Sequence, residues 1–245
     1  MSDFATLSDV NLLAFKNNNR SQDVVAKKQE IINNLGQFHN LVPAAPLFVG
    51  FSSFIMAGHP TEIAVTSVGK DVLEYLTTQK VKYRYIPEVE LINYRKSFDV
   101  VFAADEYFTY ASTDQAQKDL VGQISNLATD YVITTLRDYK NQDYKDREFS
   151  QPSIVRDNNV STVFLEAHAW SQQDRANWDS TIYAINQSTQ QLATYGSFSR
   201  RTMYFKQLAN FSNTAGATDF VVHKNLMYKG LIKKNYEHVI TITFN

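Results

Sequence analysis

Four short stretches carry residues able to do chemistry. The first is Gly50, where the apolar run PLFV stops, followed closely by the hydroxyls Ser52 and Ser53. A glycine there lets the backbone approach a bound molecule where a Cβ would collide. Neighbouring hydroxyls and amides at the positive end of a short helix suit a carboxylate. The second is Thr66-Ser67, the hydroxyls that end the next apolar run, TEIAVTS. The third is Asp105-Glu106-Tyr107, after FDVVFAA. A carboxylate at such a strand end takes a proton from a reacting oxygen or nitrogen, or simply holds it in line. The same acids also read as exposed loop charges or charges at a helix start. The fourth is His168 in EAHAW, which reads first as a satisfied structural imidazole and second as a catalytic one.

Other chemistries are excluded or poorly supported. The chain has no cysteine, which removes disulfides, thiolate nucleophiles and cysteine-based metal centres together. His39, His59, His223 and His238 are scattered, without H-x3-H or H-E-x-x-H spacing, so no metal is expected. There is no Walker loop, no G-x-S-x-G elbow and no G-x-G-x-x-G, which argues against nucleotide hydrolysis, serine hydrolysis and dinucleotide redox chemistry.

The elements that must position these residues follow from the apolar pattern. SQDVVAKKQEIINNL (residues 21–35) places Val24, Val25, Ile31, Ile32 and Leu35 at helical spacing, with Gly36 as a stop; the residues before it read as partly ordered at best. From residue 47 strands and helices alternate. PLFVGF, TEIAVTS, VKYRYI, FDVVFAA and DYVITTL read as strands. Between them lie a helix in VGKDVLEYLTTQ and another in DQAQKDLVGQISNLA, capped within Ser112-Thr113-Asp114. RDYKNQDYKDREFSQP reads as a long surface loop that leaves the ligand-binding end of a strand. STVFLEAHAW and STIYAINQ pair as a β-hairpin, RRTMYFKQLANFSNTAGA reads as a helix ending at Gly216, and TDFVVHKNLMYKG with HVITITF closes the chain as two strands. The expected architecture is α/β: a doubly wound, mostly parallel seven-stranded sheet with a C-terminal antiparallel hairpin, an inserted β-hairpin and an N-terminal helical extension. The expected organisation is a helical extension over 1–40 and one domain over 41–245, with an insertion at about 138–195.

The 245 residues carry a net charge of −1, so no global field draws the protein onto nucleic acid or membrane. Lys224, Lys229, Lys233 and Lys234 lie among Tyr228 and Tyr236, a mixture that can hold single-stranded nucleic acid but more often covers a solvated hairpin. No apolar run is long enough to span a bilayer, and the polar start MSDFATLSDVN lacks the features of a signal peptide; a cytoplasmic protein is expected.

This layout resembles the class I S-adenosylmethionine-dependent methyltransferases. The resemblance rests on the order of elements over roughly residues 22–244, on Ala215-Gly216-Ala217 before the sixth strand of the main sheet, on RRTMYFKQL ahead of it, and on FDVVFAADEYFTYA as fourth strand and loop. It implies S-adenosylmethionine as cofactor, with Gly50 as the first turn glycine and Ser52 and Ser53 near the later ones. Thr66 or Ser67 stands where the family has an acid for the ribose hydroxyls, and Glu88 or Glu90, after the third strand, is the nearest replacement. The methyl acceptor, expected to be a small molecule, would lie near Asp105, Glu106, Tyr107, Tyr139, His168 and Trp170. The competing reading keeps the fold without the cofactor, as a structural or interaction subunit; oligomeric state is not legible.

Overall fold

The computed structural model describes residues 4–16, 21–39, 46–57, 62–140, 147–149, 152–157, 160–171, 176–229 and 236–244. In chain order the elements are α1 (Phe4–Lys16), α2 (Ser21–His39), β1 (Pro46–Val49), β2 (Ile63–Thr66), α3 (Lys70–Thr78), β3 (Tyr83–Tyr85), β4 (Phe98–Ala103), α4 (Asp114–Leu127) and β5 (Ala128–Arg137). There follow β6 (Arg147–Phe149), β7 (Ser153–Asp157), β8 (Val160–Trp170), β9 (Asn177–Asn186), β10 (Leu192–Arg201), α5 (Phe205–Thr214), β11 (Asp219–Lys229) and β12 (Tyr236–Thr243). Short 3-10 turns cover Ser53–Met56, Glu88–Tyr94 and Tyr107–Tyr110.

The main sheet has seven strands in the order β11-β12-β5-β4-β1-β2-β3. β1 to β5 run parallel, and β12 and β11 are antiparallel additions. Its strands bury both faces, which is why they read as unbroken apolar runs. Leu47, Val49, Val101, Ala103, Val132 and Ile240 pack on the side of α4 and α5, with Val121, Ile124 and Leu208. The alternate residues Phe48, Val65, Val100, Phe102, Ile133 and Val239 pack on the side of α2 and α3, with Ile31, Leu35, Val72 and Leu76. Each fully buried Leu, Ile or Phe contributes roughly 1.5–3 kcal/mol, so these two layers hold the sheet.

Local signals explain the helix ends. Thr113 Oγ1 accepts the Ala116 amide at 3.1 Å and starts α4. α5 stops at Gly216, whose φ of +90° lets its amide reach Asn213 O while Ala217 N reaches Ser212 O. That helix begins at Phe205, later than expected: Arg200 and Arg201 belong to β10, and Met203 is buried ahead of the helix.

Two further expectations change. The insertion is larger than a hairpin: β10-β9-β8-β6 form an antiparallel sheet, and β7 makes a fifth strand paired to β8. Phe4–Lys16 form a regular helix rather than a partly ordered lead, because α1 has partners on two sides. Leu7 and Val10 pack with Ile182 and Phe198 of the inserted sheet, while Leu12 and Phe15 join the core beside α2 and α3. α1 therefore bridges the two sheets above the carboxyl edge of β1 and β2. Among the described residues no helix is long and apolar enough to cross a membrane.

Candidate functional site

β1 ends at Gly50, whose amide bonds Thr66 O at 2.9 Å and whose φ is +70°. Only glycine adopts this left-handed conformation at no steric cost. Ser52 then caps the 3-10 turn, its hydroxyl accepting from the Phe54 amide at 3.3 Å. Ser53 and Thr66 are buried, and their hydroxyls have no hydrogen-bond partner among the described residues. Ser67 ends β2 in the left-handed region, with φ of 55°. These five residues meet at one corner of the sheet edge.

Tyr107 lies across that corner. Its ring carbons stand 3.5 and 3.6 Å from where a Cβ on residue 50 would sit, and its hydroxyl donates to Ser67 Oγ at 3.4 Å. Phe4 of α1 stacks on the ring at 4.9 Å between centroids, with 26° between the planes. Burial pushes the Tyr107 phenol well up, the Ser67 contact opposes this, and the charge of Glu88 adds to it. Glu88 and Glu90 are both exposed on the turn after β3, and only Glu88 registers electrostatically at Tyr107.

The turn that aims Tyr107 is strained. Asp105 and Glu106 both have positive φ, 56° and 60°. A non-glycine residue there costs about 1–2 kcal/mol. Thr135 Oγ1 on β5 offsets this by accepting the Asp105 and Glu106 amides at 2.8 and 3.4 Å, and Lys28 of α2 pairs with Asp105 Oδ1 at 2.7 Å. Lys28 is itself buried, 4.3 Å above the Phe54 ring.

Glu106, by contrast, points inward and is 1% exposed. Its Oε2 pairs with Arg137 at 2.8 Å and its Oε1 accepts the Tyr139 hydroxyl at 2.5 Å. Burial and the Glu106 charge push the Tyr139 phenol up, so it stays protonated and donates. Arg137 also lies 3.8 Å from Glu237, its cross-strand neighbour on β12, which accepts from Thr135 at 2.9 Å. Burial and the Glu106 charge raise the Glu237 carboxyl, against the pull of Arg137.

The inserted sheet closes the far side. Alternation on β8 turns Glu166, His168 and Trp170 inward, β9 adds Trp178 and Ser180, and β10 adds Arg200. His168 Nε2 stands 3.0 Å from Glu166 Oε1, which also accepts the Ser180 hydroxyl. Burial would raise the Glu166 carboxyl, but His168, Arg200 and Ser180 outweigh it and hold it down at about 2. His168 stacks on Trp178 at 4.8 Å, Trp178 on Trp170 at 5.2 Å, and Tyr139 meets Trp170 edge-on at 6.2 Å. Arg200 lies 3.9 Å from both Glu106 and Glu166, between the Tyr110 ring at 4.1 Å and the Trp178 ring at 4.6 Å. A cation held by two carboxylates and two aromatic faces belongs to a region built for charge.

The structure thus gathers Glu106, Tyr139, His168 and Trp170 into one connected cluster beside Tyr107 and the Gly50 corner. His168 acts in it at one remove, through Glu166 and Arg200, and Asp105 faces away toward Lys28. Lys28, Thr135, Arg137, Glu166, Arg200 and Glu237 complete the cluster and are not among the site residues expected from the sequence. Of the other histidines, His223 bonds Thr241 at 2.7 Å and His238 packs edge-on against Phe205. His59, Lys233 and Lys234 lie outside the described residues, as do the side chains of His39, Lys224, Tyr228, Lys229 and Tyr236.

No protein-family model matches the chain, and no curated protein matches it in sequence. Solved structures do match in fold. An S-adenosylmethionine-bound amino pentose methyltransferase from Micromonospora echinaspora superposes with a TM-score of 0.67 at 11% identity, covering 96% of this chain and 97% of its own. The DesVI protein of Streptomyces venezuelae gives 0.65 at 11% identity over 100% of both chains. An S-adenosylmethionine-dependent methyltransferase from Clostridium acetobutylicum gives 0.65 at 12% identity, covering 90% of this chain and 92% of that one. The chain has the fold of the class I methyltransferases, over nearly its whole length.

Proposed function

We propose that the protein transfers a methyl group from S-adenosylmethionine to a small molecule bearing an amine or hydroxyl. The observation that carries the reading is the convergence of Glu106, Tyr139 and Arg200, from three distant segments, beside the Gly50 corner. In open α/β sheets that edge, at the carboxyl ends of the strands, is where ligands bind.

The residues at the corner fit the cofactor in two respects. Gly50 presents bare backbone, and Ser53 and Thr66 hold buried hydroxyls without partners among the described residues. They depart from the family in one: Thr66 and Ser67 replace the acid expected to bind the ribose, leaving hydroxyls for that contact. When bound, S-adenosylmethionine would supply an electrophilic methyl on a sulfonium. This chain's residues would then position the acceptor. Glu106 keeps lone pairs beyond those used by Arg137 and Tyr139, so it can accept from an acceptor N–H or O–H and hold the proton as the methyl arrives. Tyr139 and Arg137 fix that carboxylate, Trp170 and Trp178 wall the acceptor, and His168 with Glu166 holds Arg200 in place. The buried cluster excludes water, which strengthens each of these charges. Similarity in fold to proteins named as an amino pentose methyltransferase and a sugar N-methyltransferase supports a small polar acceptor.

The second reading is a cofactor-free structural subunit. It is favoured by the Tyr107 ring over Gly50 and by the missing acid. Thermal shift with S-adenosylhomocysteine separates the two. A ligand present at about 100 times its dissociation constant adds about 2.7 kcal/mol. For a chain of this size that raises Tm by about 5–11 °C. Gly50→Ala introduces a Cβ at ordinary contact distance from Tyr107, so the variant folds with a loss of about 1–2 kcal/mol from its positive φ. Its response to the ligand should shrink. No response at millimolar ligand by the parent and by Tyr107→Ala, which clears the ring from the corner, selects the structural reading.

A further inference from the structure

Resting on the methyltransferase reading, one feature of the same corner points to how access to it is controlled. The volume over Gly50 and Ser67 holds two stacked rings, Tyr107 from the turn after β4 and Phe4 from α1. We propose that this pair is an internal plug that takes the place of the cofactor's nucleoside, and that α1 is the strap that must lift to admit it.

Three observations carry the proposal. First, the plug covers one backbone and one side-chain feature that suit the cofactor, since the Tyr107 ring touches the bare face of Gly50 while its hydroxyl reaches Ser67 Oγ. Second, it is held by stacking more than by polar bonds. The Tyr107 hydroxyl contact is 3.4 Å, at the weak end of the range, and the turn beneath it carries two consecutive left-handed residues. Third, α1 grips both sides of the edge through separable contacts. Asp9 Oδ1 accepts the Val72 amide at 3.0 Å at the start of α3, crowding Gly69, and Phe15 packs on Phe51, next to Gly50. On the other side Val10 lies against the backbone at Gly196 of β10, which has no side chain to push it away. A flat nucleoside that displaces Tyr107 must also break its stack on Phe4, so ligand affinity is reduced by the fraction of molecules in which the plug is closed.

The test is calorimetric titration of the full chain with S-adenosylhomocysteine, comparing the parent with Phe4→Ala and Phe4→Leu. Losing the stack should tighten binding about 2- to 10-fold in Phe4→Ala. Phe4→Leu, which keeps apolar volume and α1 packing, should fall between that variant and the parent. Ligand bound by Phe4→Ala but not by the parent would also support the plug. Equal or weaker binding in Phe4→Ala, with the parent binding, overturns the plug and leaves the methyltransferase reading standing. Absence of binding in the parent, both Phe4 variants and Tyr107→Ala overturns both. Hydrogen exchange supplies the check that needs no variant. Saturating the parent with ligand should alter protection of the amides of residues 4–16, and unchanged exchange there overturns the strap.

Discussion

Arg137→Met tests the physical basis of the cluster. Methionine keeps most of the apolar stem and removes the guanidinium that lies 2.8 Å from Glu106 and 3.8 Å from Glu237. Both carboxylates are buried, at 1% and 4% exposure, so the variant leaves two negative charges out of water without their shared cation. Removing one partner of a buried pair costs about 3–5 kcal/mol. At 2–4 °C per kcal/mol this lowers Tm by about 6–20 °C. The loss must also depend on pH in a definite direction. Burial and the Glu106 charge already raise the Glu237 carboxyl against the pull of Arg137, and the variant removes that pull, so its folded value moves further above the unfolded one, about 4.3 for Glu. Folding then favours the protonated form of Glu237, so the cost is small near that pH, grows as pH rises, and levels off above the raised value. Urea denaturation at pH 5 and pH 8 reads this out: the loss at pH 8 should exceed that at pH 5 by at least about 1 kcal/mol. A loss below about 1 kcal/mol at both pH values would refute the account of Arg137 as the cation that makes Glu106 tenable.

Two further outcomes follow from other parts of the molecule. Thr113→Ala removes the cap of α4 and should cost about 1 kcal/mol, or about 2–4 °C in Tm by thermal unfolding, because the Ala116 amide loses its side-chain acceptor. Glu166 has a folded carboxyl held at about 2, below the ordinary value of 4.5. Its contribution is therefore complete above about pH 4.5 and is lost as pH falls toward 2, so Glu166→Gln should flatten the acid limb of the stability curve over that interval. An unchanged acid limb would remove Glu166 from the set of ion-paired groups.

The parallel half of the fold was readable because β1, β2, β4 and β5 are buried on both faces, which leaves apolar runs that no surface element produces. α1 escaped because its apolar residues divide between two surfaces. Leu7 and Val10 serve the inserted sheet and Leu12 and Phe15 serve the core, so no single stripe marks the helix. The acid turn after β4 was visible as a strand end, but not that its two acids point in opposite directions, which follows from the paired positive φ values. Arg137 and Glu237 look like ordinary strand charges until β5 and β12 are paired, and Arg200 does until β10 is brought beside the turn after β4. One local signal existed: Glu166, His168 and Trp170 alternate along one strand, as Trp178 and Ser180 do on the next, a polar–aromatic pattern that marks a buried polar face.

The most direct test is a crystal structure grown with S-adenosylhomocysteine at saturating concentration. The account predicts the nucleoside against the backbone of Gly50, its ribose within hydrogen-bond reach of Thr66 or Ser67, and the Tyr107 ring moved off the corner. A structure with no nucleoside bound and Tyr107 still stacked on Phe4 over Gly50 would contradict it.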